Sequence, residues 1–189
     1  MAAFAPEMRT PMTSIIGYAD LLRSQELCAD ARAEAANYIF TESRRLENLS
    51  NKLLDLIVLE KQEIECRPCH MGRLIAQTGG LLDRTLRQAG IALRCRVDET
   101  VWPVEPDLFK TLLLNLIDNA RKAMPAGGVI VLRAGKEGED WKLTVRDTGG
   151  GIPQDELPRL TEAFYRVDKA RSRETGGTGL GLAISRKVV

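Results

Sequence analysis

The sequence has few aromatic residues, nearly balanced charge and no long apolar run. Phe, Trp and Tyr make up 5% of its 189 residues, too few for the stacking platforms with which proteins bind single-stranded nucleic acids. The 27 basic and 26 acidic residues leave a formal net charge of +1, which gives no electrostatic basis for nucleic-acid binding. No run approaches the roughly 18 apolar residues of a membrane-spanning helix, and the N-terminus lacks the apolar core of a secretory signal. We therefore expect an intracellular protein that does not bind nucleic acids.

Cysteine and histidine are also scarce, with four cysteines and one histidine. Without export the cysteines are expected to stay reduced. The stretch CRPCH, residues 66–70, matches the C-x-x-C-H pattern of covalent haem attachment, and Cys66, Cys69, His70 and Cys95 have the ligand types of a zinc site. Haem attachment requires export, and Cys95 lies in a predicted strand without a second C-x-x-C pair. We therefore interpret CRPCH as a turn-like linker and His70 as a solvated residue in it.

Two apolar stripes at helical spacing dominate the first third of the chain. The first comprises Met8, Met12, Ile15, Ala19 and Leu22, and the second comprises Ile39, Leu46, Leu49, Leu53 and Leu56. Their intervals place each stripe on one helix face, and a short break around residues 28–30 separates the two helices. Because seams this narrow cannot close a core within one hairpin, we expect two chains to form a four-helix bundle. The alternative is a hairpin that packs only against the second domain of its own chain.

The rest of the chain mixes helices and strands. Gly90 closes one predicted helix, and Pro106 with Asp107 opens another. The predicted helices cover residues 74–88, 108–124 and the stretch from Leu180 onward, and the predicted strands cover residues 91–97, 129–134 and 141–146, the last two joined by the turn GKEGED. We expect helices on one face of a mixed sheet. In this division residues 1–66 form the helical hairpin and residues 67–189 form the second domain.

The apolar helix of the second domain carries three polar residues on one face. Asn115, Asn119 and Lys122 recur at spacings of four and three, so their side chains point the same way. Carboxamide oxygens suit Mg²⁺, and the lysine supplies a charge for phosphate. This face therefore indicates a site for a metal-bound polyphosphate.

Three further segments have compositions that suit a nucleotide. In DTGGGI the carboxylate of Asp147 can accept from an exocyclic amino group, while Gly149 and Gly151 leave room for a flat ring. The stretch AFYRVDKARSRE, residues 163–174, has the composition of a mobile cover. GGTGLGLAI, residues 176–184, places glycines directly before a helix, where free backbone N–H groups bind anions. Each signal is weak alone, but their order and spacing together are far more specific.

In this order the segments resemble those of bacterial two-component sensor histidine kinases, over nearly the whole chain. Residues 4–18 resemble the phosphoacceptor segment and residues 39–64 the second dimerisation helix. NLIDNARKA, DTGGGI, FYR and GGTGLGL resemble the asparagine box, first glycine box, aromatic box and second glycine box. The resemblance implies a dimeric four-helix bundle followed by a gyrase-type ATP-binding domain, a layered α/β sandwich. It also implies ATP and Mg²⁺ as cofactors, a response regulator receiver domain as partner, and a cytoplasmic location with any membrane contact through a parent receptor.

The resemblance assigns expected roles to individual residues by position. Asn115 is expected to hold Mg²⁺, Asn119 and Lys122 to contact the phosphates, and Asp147 to read the adenine amino group. Residues 164–181 are expected to form a lid over the nucleotide. The remaining expected nucleotide contacts are Gly149, Gly151, Phe164, Arg166, Gly177, Thr178, Gly179, Leu180 and Gly181.

The sequence departs from the family at the phosphoacceptor. The family segment reads F-x-H-E-x-R-T-P and its histidine attacks the γ-phosphate of ATP, whereas here Pro6 takes that place. Proline has no nucleophile, so we expect no autophosphorylation there, although proline near a helix start costs little stability. Glu7 and Thr10 form the family's E-x-x-T pair, which serves phosphate removal from the regulator, although Thr10 could instead bond only a backbone carbonyl near Pro11. The alternative functions are therefore a phosphatase and a non-catalytic pseudokinase module that dimerises and binds a response regulator.

A second departure concerns the C-terminus. The family's ATP-binding domain continues past its last helix into further strands, whereas this sequence ends at Val189. We therefore expect an incomplete ATP-binding domain with an uncovered sheet edge, in a fragment of a longer receptor. A gyrase-like ATPase is a weaker interpretation, because that class has no place for the paired helical stripes.

Overall fold

The structure, a computed structural model, describes residues 4–61, 64–167 and 177–189. Its helices are α1 (Phe4–Ser24), α2 (Ala29–Lys61), α3 (Met71–Gln88), α4 (Pro106–Ala123) and α5 (Gly181–Val188), and its strands are β1 (Arg67–His70), β2 (Ile91–Val97), β3 (Val101–Val104), β4 (Gly128–Glu137) and β5 (Asp140–Asp147). A short 3₁₀ helix spans Gln154–Arg159. Within the described ranges, no helix combines the length and apolar character needed to cross a bilayer.

Helices α1 and α2 form the predicted hairpin. Pro6 lies in the first turn of α1, where its missing N–H would have had no partner within the helix. Pro11 lies farther inside α1 and is fully buried. Near the other end of α1, the rings of Tyr18 and Tyr38 stack with centroids 4.6 Å apart. The hairpin predicted from the two apolar stripes is therefore confirmed.

The second part of the chain contains a mixed three-stranded sheet. Strand β4 is central, running parallel to β2 and antiparallel to β5. Helices α3 and α4 pack on this sheet and on each other, and Leu113, Ile117, Ile130 and Leu132 are at most 1% exposed in the core between them. The rings of Phe109 and Trp141 pack edge to face at a centroid distance of 5.8 Å. This arrangement confirms the predicted α/β sandwich.

The prediction that CRPCH is a linker was wrong. Residues Arg67–His70 form β1, which pairs antiparallel with β3 so that Pro68 lies opposite Pro103. Prolines lack a backbone donor, and a sheet of only two strands leaves an edge where that donor is not needed. Cys69 packs against the domain core while its neighbours stay exposed. A strand this short, with one inward residue, gives too little alternation to predict.

The hairpin also packs against the second domain. Leu49 of α2, Leu180 and Ile184 form a buried cluster between the two parts. The partly buried residues that surround it are Met8, Leu56, Leu59, Phe164 and Val188. Nevertheless Phe40 and Leu54 of the hairpin stay 65% and 56% exposed, so this contact covers only part of its apolar surface.

Candidate nucleotide-binding site

A cavity of about 320 Å³ lies between α4, the two glycine-rich segments and helix α2 of the hairpin. Most of the predicted nucleotide residues line it: Asn115, Asn119, Lys122, Gly151, Arg166, Gly177, Thr178, Gly179 and Gly181. Asp147, Gly149, Phe164 and Leu180 are not among its lining residues. The structure thus brings together side chains that are far apart in the sequence.

Helix α4 has a well-defined start and presents a polar face to this cavity. Pro106 occupies the first turn, and the Glu105 carboxylate accepts a hydrogen bond from the Leu108 N–H at 2.6 Å, which caps the helix. Asn115 and Asn119 then face the cavity, whereas Leu113 faces the core with 0% exposure. The apolar and polar faces of one helix therefore separate the core from the site.

Asp118 lies on the same cavity face of α4 and offsets the positive charge of the neighbouring cations. Its carboxylate pairs with Arg121 at 2.7 Å and with Lys122 at 2.8 Å. Burial acts to raise the pKa of Asp118, but hydrogen bonds and charges from Lys122 and Arg121 outweigh it and hold the pKa below its ordinary value. Asp118 thus stays ionised and fixes the position of the Lys122 ammonium.

The side chain of Asn115 has an unused polar atom. Its Nδ2 is buried without a hydrogen-bond partner among the described residues, an uncommon state for a buried amide. Its Oδ1 lies on the side of Gly181, where an added Cβ would come within 3.3 Å. A half turn of the amide exchanges the two atoms, so this position can offer either a donor or the oxygen that Mg²⁺ requires. The site therefore fits a polar ligand or metal at Asn115.

The first glycine segment is held in shape by Asp147. The Oδ1 atom of Asp147 accepts from the Gly149 N–H at 2.8 Å, directly after β5 ends. A Cβ on Gly149 would lie 2.8 Å from Ala123, which lines the cavity. Gly151 has φ +72 and reaches the cavity itself. Asp147 and Gly149 thus border the site through Ala123.

The second glycine segment packs closely on the aromatic box. Gly179 has φ +69, and an added Cβ would lie 2.7 Å from the backbone carbon of Phe164. The Phe164 N–H donates to the Gly179 carbonyl at 2.9 Å. Leu180 is fully buried in the cluster that contacts the hairpin, so its side chain has a packing role. Residues 168–176 of the predicted lid lie outside the described residues.

Arg166 connects the cavity to the segment that resembles a phosphoacceptor. Its Nη2 donates to both carboxylate oxygens of Glu7, at 2.8 and 2.6 Å, and its Nη1 donates to the Gly177 carbonyl at 2.9 Å. The Arg166 side chain is 4% exposed and that of Glu7 19%. Glu7, the residue after Pro6, therefore contacts a lining residue of the cavity of its own chain. Thr10 is exposed, and its hydroxyl donates to the Pro6 carbonyl at 3.3 Å.

Two charged residues of the cavity, Asp118 and Lys52, were missing from the predicted site. Asp118 could have been found, because it follows Asn115 by three positions and precedes Lys122 by four, on the same helix face. Lys52 lies on α2 of the hairpin. Its contribution depends on how the two parts of the chain pack, which no local pattern encodes.

The cysteines do not form a metal site in the described parts of the chain. All four carry free thiols, and Cys28, Cys66 and Cys95 are exposed. No group of three His, Cys, Asp or Glu side chains in the described residues is placed to bind a metal ion. His70 is exposed just before α3.

Two known families match separate parts of the chain. Residues 1–61 match the His Kinase A (phospho-acceptor) domain. Residues 104–189 match the histidine kinase-, DNA gyrase B-, and HSP90-like ATPase family. A sensor-like histidine kinase of Rhizobium meliloti is 34% identical over 97% of this chain. The chain spans only 36% of the length of that relative.

Solved structures of histidine kinases are also similar to this chain. A mycobacterial sensor histidine kinase, MprB, is 31% identical, with a TM-score of 0.53, over 65% of this chain and 77% of that one. The histidine kinase ThkA in complex with the response regulator protein TrrA shares the fold, with a TM-score of 0.79 at 22% identity, over 100% of this chain and 53% of that one.

Proposed function

The chain belongs to the sensor histidine kinase family, and we propose that it binds Mg·ATP and a response regulator but cannot phosphorylate itself at position 6. The observation that carries the nucleotide part is the buried, unpartnered Nδ2 of Asn115 in a cavity that also contains Asn119 and Lys122. The observation that carries the loss of autophosphorylation is the proline at position 6, directly before the Glu7 that binds Arg166.

The charges around the cavity support a nucleotide with several phosphates. Among the described residues that line the cavity, the charged ones are the cations Lys52, Lys122 and Arg166 and the anion Asp118. When bound, Mg²⁺ would supply a counter-charge for the phosphates, with Asn115 as its protein ligand. Asn119 and Lys122 would then orient the phosphates through a neutral amide and a point charge.

The lost reaction follows from the chemistry of proline. Phosphoryl transfer requires a lone pair that attacks phosphorus, and the family uses a histidine nitrogen. The nitrogen of Pro6 is a tertiary amide within the backbone, and its ring offers no other heteroatom. Glu7, the next residue, is held by Arg166, which lines the cavity.

The decisive experiment compares the protein with its Pro6→His variant, each incubated with γ-labelled ATP and Mg²⁺. Label on the histidine variant alone would support an ATP-binding site whose only lesion is the acceptor. The same variant with Asn119→Ala is the control and should stay unlabelled. A thermal shift of the unmodified protein by Mg·ATP is the companion measurement. No shift and no label in either protein would contradict nucleotide binding and favour the pseudokinase module.

We also propose that the chain acts as a homodimer through its hairpin. Apolar side chains remain exposed on both helices, at Met12, Ile16, Tyr38, Phe40, Leu54, Ile57 and Val58. A surface of this kind is typical of an interface. Sedimentation should show a dimer that the double variant Leu54→Asp and Ile57→Asp converts to a monomer. A monomeric unmodified protein at micromolar concentration would contradict the dimer.

Phosphatase activity is the second candidate, favoured by the exposed hydroxyl of Thr10 one helical turn from Pro6. In the present arrangement Glu7 is bound to Arg166, so both members of the E-x-x-T pair become available only when the second domain moves away from α1. The lifetime of a phosphorylated regulator should shorten in the presence of the protein and recover with Thr10→Ala. An unchanged lifetime with the unmodified protein would refute this activity.

A further inference from the structure

Lys52 is a cation of the hairpin that faces the cavity of the other domain. It lies on α2, and its partly buried side chain lines the cavity beside Asn119 and Lys122. Among the described residues it makes no ion pair within 4 Å, whereas Lys122 pairs with Asp118 at 2.8 Å. A partly buried ammonium without a counter-ion is costly, so this position favours an anion.

The neighbouring carboxylate is already used by other cations. One oxygen of Asp118 binds Arg121 at 2.7 Å and the other binds Lys122 at 2.8 Å. The carboxylate of Asp118 near Lys52 therefore has both oxygens paired with other cations. The ammonium of Lys122 is also near Lys52. Burial first, and then repulsion from Lys122, lower the pKa of Lys52, while Asp118 and Asp55 oppose the effect. The surroundings disfavour its charge unless further negative charge enters the cavity.

We infer that Lys52 binds the phosphate end of a nucleoside triphosphate in this cavity, so that the phosphates join the helical hairpin to the ATP-binding domain. The inference rests on the proposed function, since it requires a nucleotide in the cavity. It assigns to the hairpin a direct nucleotide contact in addition to its acceptor position. The phosphate end is favoured because Lys52 faces Lys122 and Asp118 across the cavity. Those two residues lie on the face of α4 that also carries Asn119.

The geometry also gives this contact a consequence for domain packing. Leu49, which precedes Lys52 by three residues on α2, packs against Leu180 and Ile184. Lys187 of α5 and Glu60 of α2 approach to 3.4 Å at the other end of the contact. A phosphate bound by Lys52 adds an ionic link to this interface. Domain packing should therefore tighten with a triphosphate and respond weakly to a ligand without phosphates.

The first test is calorimetric binding of Mg·AMP-PNP and of adenosine to the full chain and to its Lys52→Met variant. Methionine keeps most of the aliphatic stem and removes the ammonium group, with its charge and its N–H donors. We expect an affinity for Mg·AMP-PNP about ten-fold lower, the size of one charged hydrogen bond, and an adenosine affinity changed less than about two-fold. Lys52→Arg should retain most of the triphosphate affinity. Lys142→Met, at an exposed cation outside the cavity, is the matched control.

The second test measures amide hydrogen exchange with and without Mg·AMP-PNP. In the unmodified protein the nucleotide should protect both α4 around Asn115 and α2 around Lys52. In Lys52→Met the protection of α4 should persist while that of α2 is lost. Equal affinity and equal α2 protection in the variant would overturn the inference and leave the proposed function standing. An unmodified protein that binds neither ligand would refute the proposed function and this inference with it.

Discussion

The two parts of this chain differ in how they obtain a core. The ATP-binding domain has a continuous cluster that includes Leu113, Ile130 and Leu132, each at 0% exposure. The hairpin has few buried apolar residues, Ala35 and Leu49 among them, and exposes Phe40 on its surface. The difference follows from sequence pattern, because a wide apolar face closes against a sheet, whereas a narrow stripe needs another helix pair. One part thus closes its own apolar core, whereas the other leaves apolar surface uncovered.

The contact between the two parts allows an all-or-none prediction. Because Glu7 binds Arg166 of the same chain, a histidine at position 6 should receive phosphate from the nucleotide of its own chain. In mixed dimers, a Pro6→His chain that also carries Asn119→Ala should stay unlabelled beside a partner with an intact site. Label should appear when Pro6→His and the intact site share one chain. Differently tagged chains and γ-labelled ATP give the measurement, and the opposite labelling would establish transfer between chains.

The cores should respond differently to the same substitution. Leu113→Ala, in the closed core, should lower the free energy of unfolding by about 2–5 kcal/mol at any protein concentration. Leu54→Ala, at a residue that is 56% exposed in one chain, should matter only where the protein dimerises. Urea denaturation at two protein concentrations checks this. Equal losses of unfolding free energy at both concentrations would show that the stability of the hairpin does not depend on a second chain.

Most of the fold could be predicted from the sequence, because its elements are long or strongly patterned. The stripes of α1 and α2 and the apolar face of α4 repeat over several turns, so periodicity alone identifies them. Strands β1 and β3 were not predicted, because each has only four residues and one of them is a proline. Their pairing depends on distant partners, which short-range patterns do not record.

The same distinction between local patterns and distant partners applies to the residues of the site. Asn115, Asn119 and Lys122 could be predicted because one helix sets their spacing. Lys52 and the bond between Glu7 and Arg166 depend on the docking of one domain against another. Leu180 belongs to a glycine-rich motif and stays a predicted nucleotide contact, but its side chain is buried in the cluster with Leu49. Motif membership therefore predicts where a residue lies more reliably than what its side chain contacts.

The ion pair between the parts should hold them together measurably. Arg166→Met leaves the Glu7 carboxylate without its main partner in a poorly hydrated interface. We expect amide exchange in α5, measured without nucleotide, to rise roughly ten-fold, because Glu7 keeps some contact with water and the penalty is reduced accordingly. Arg87→Met removes an exposed pair with Asp83 on α3 and should leave α5 unchanged. Unchanged exchange in Arg166→Met would mean that this ion pair adds nothing measurable to the contact between the two parts.

The smallest effect concerns acid stability of the ATP-binding domain. Because Lys122 and Arg121 outweigh burial and hold the pKa of Asp118 below the ordinary value of 3.8, the unfolded chain binds its proton more readily than the folded chain. The stabilisation is therefore complete above pH 3.8 and is lost as the pH falls through the lower, folded pKa. Asp118→Asn should flatten the stability profile in that acidic window, measured as urea midpoints, more than Asp83→Asn at the exposed pair on α3. An unaltered acid slope would mean that Asp118 gains as little from its partners as a surface carboxylate does, and that the cavity is more hydrated than its lining residues indicate.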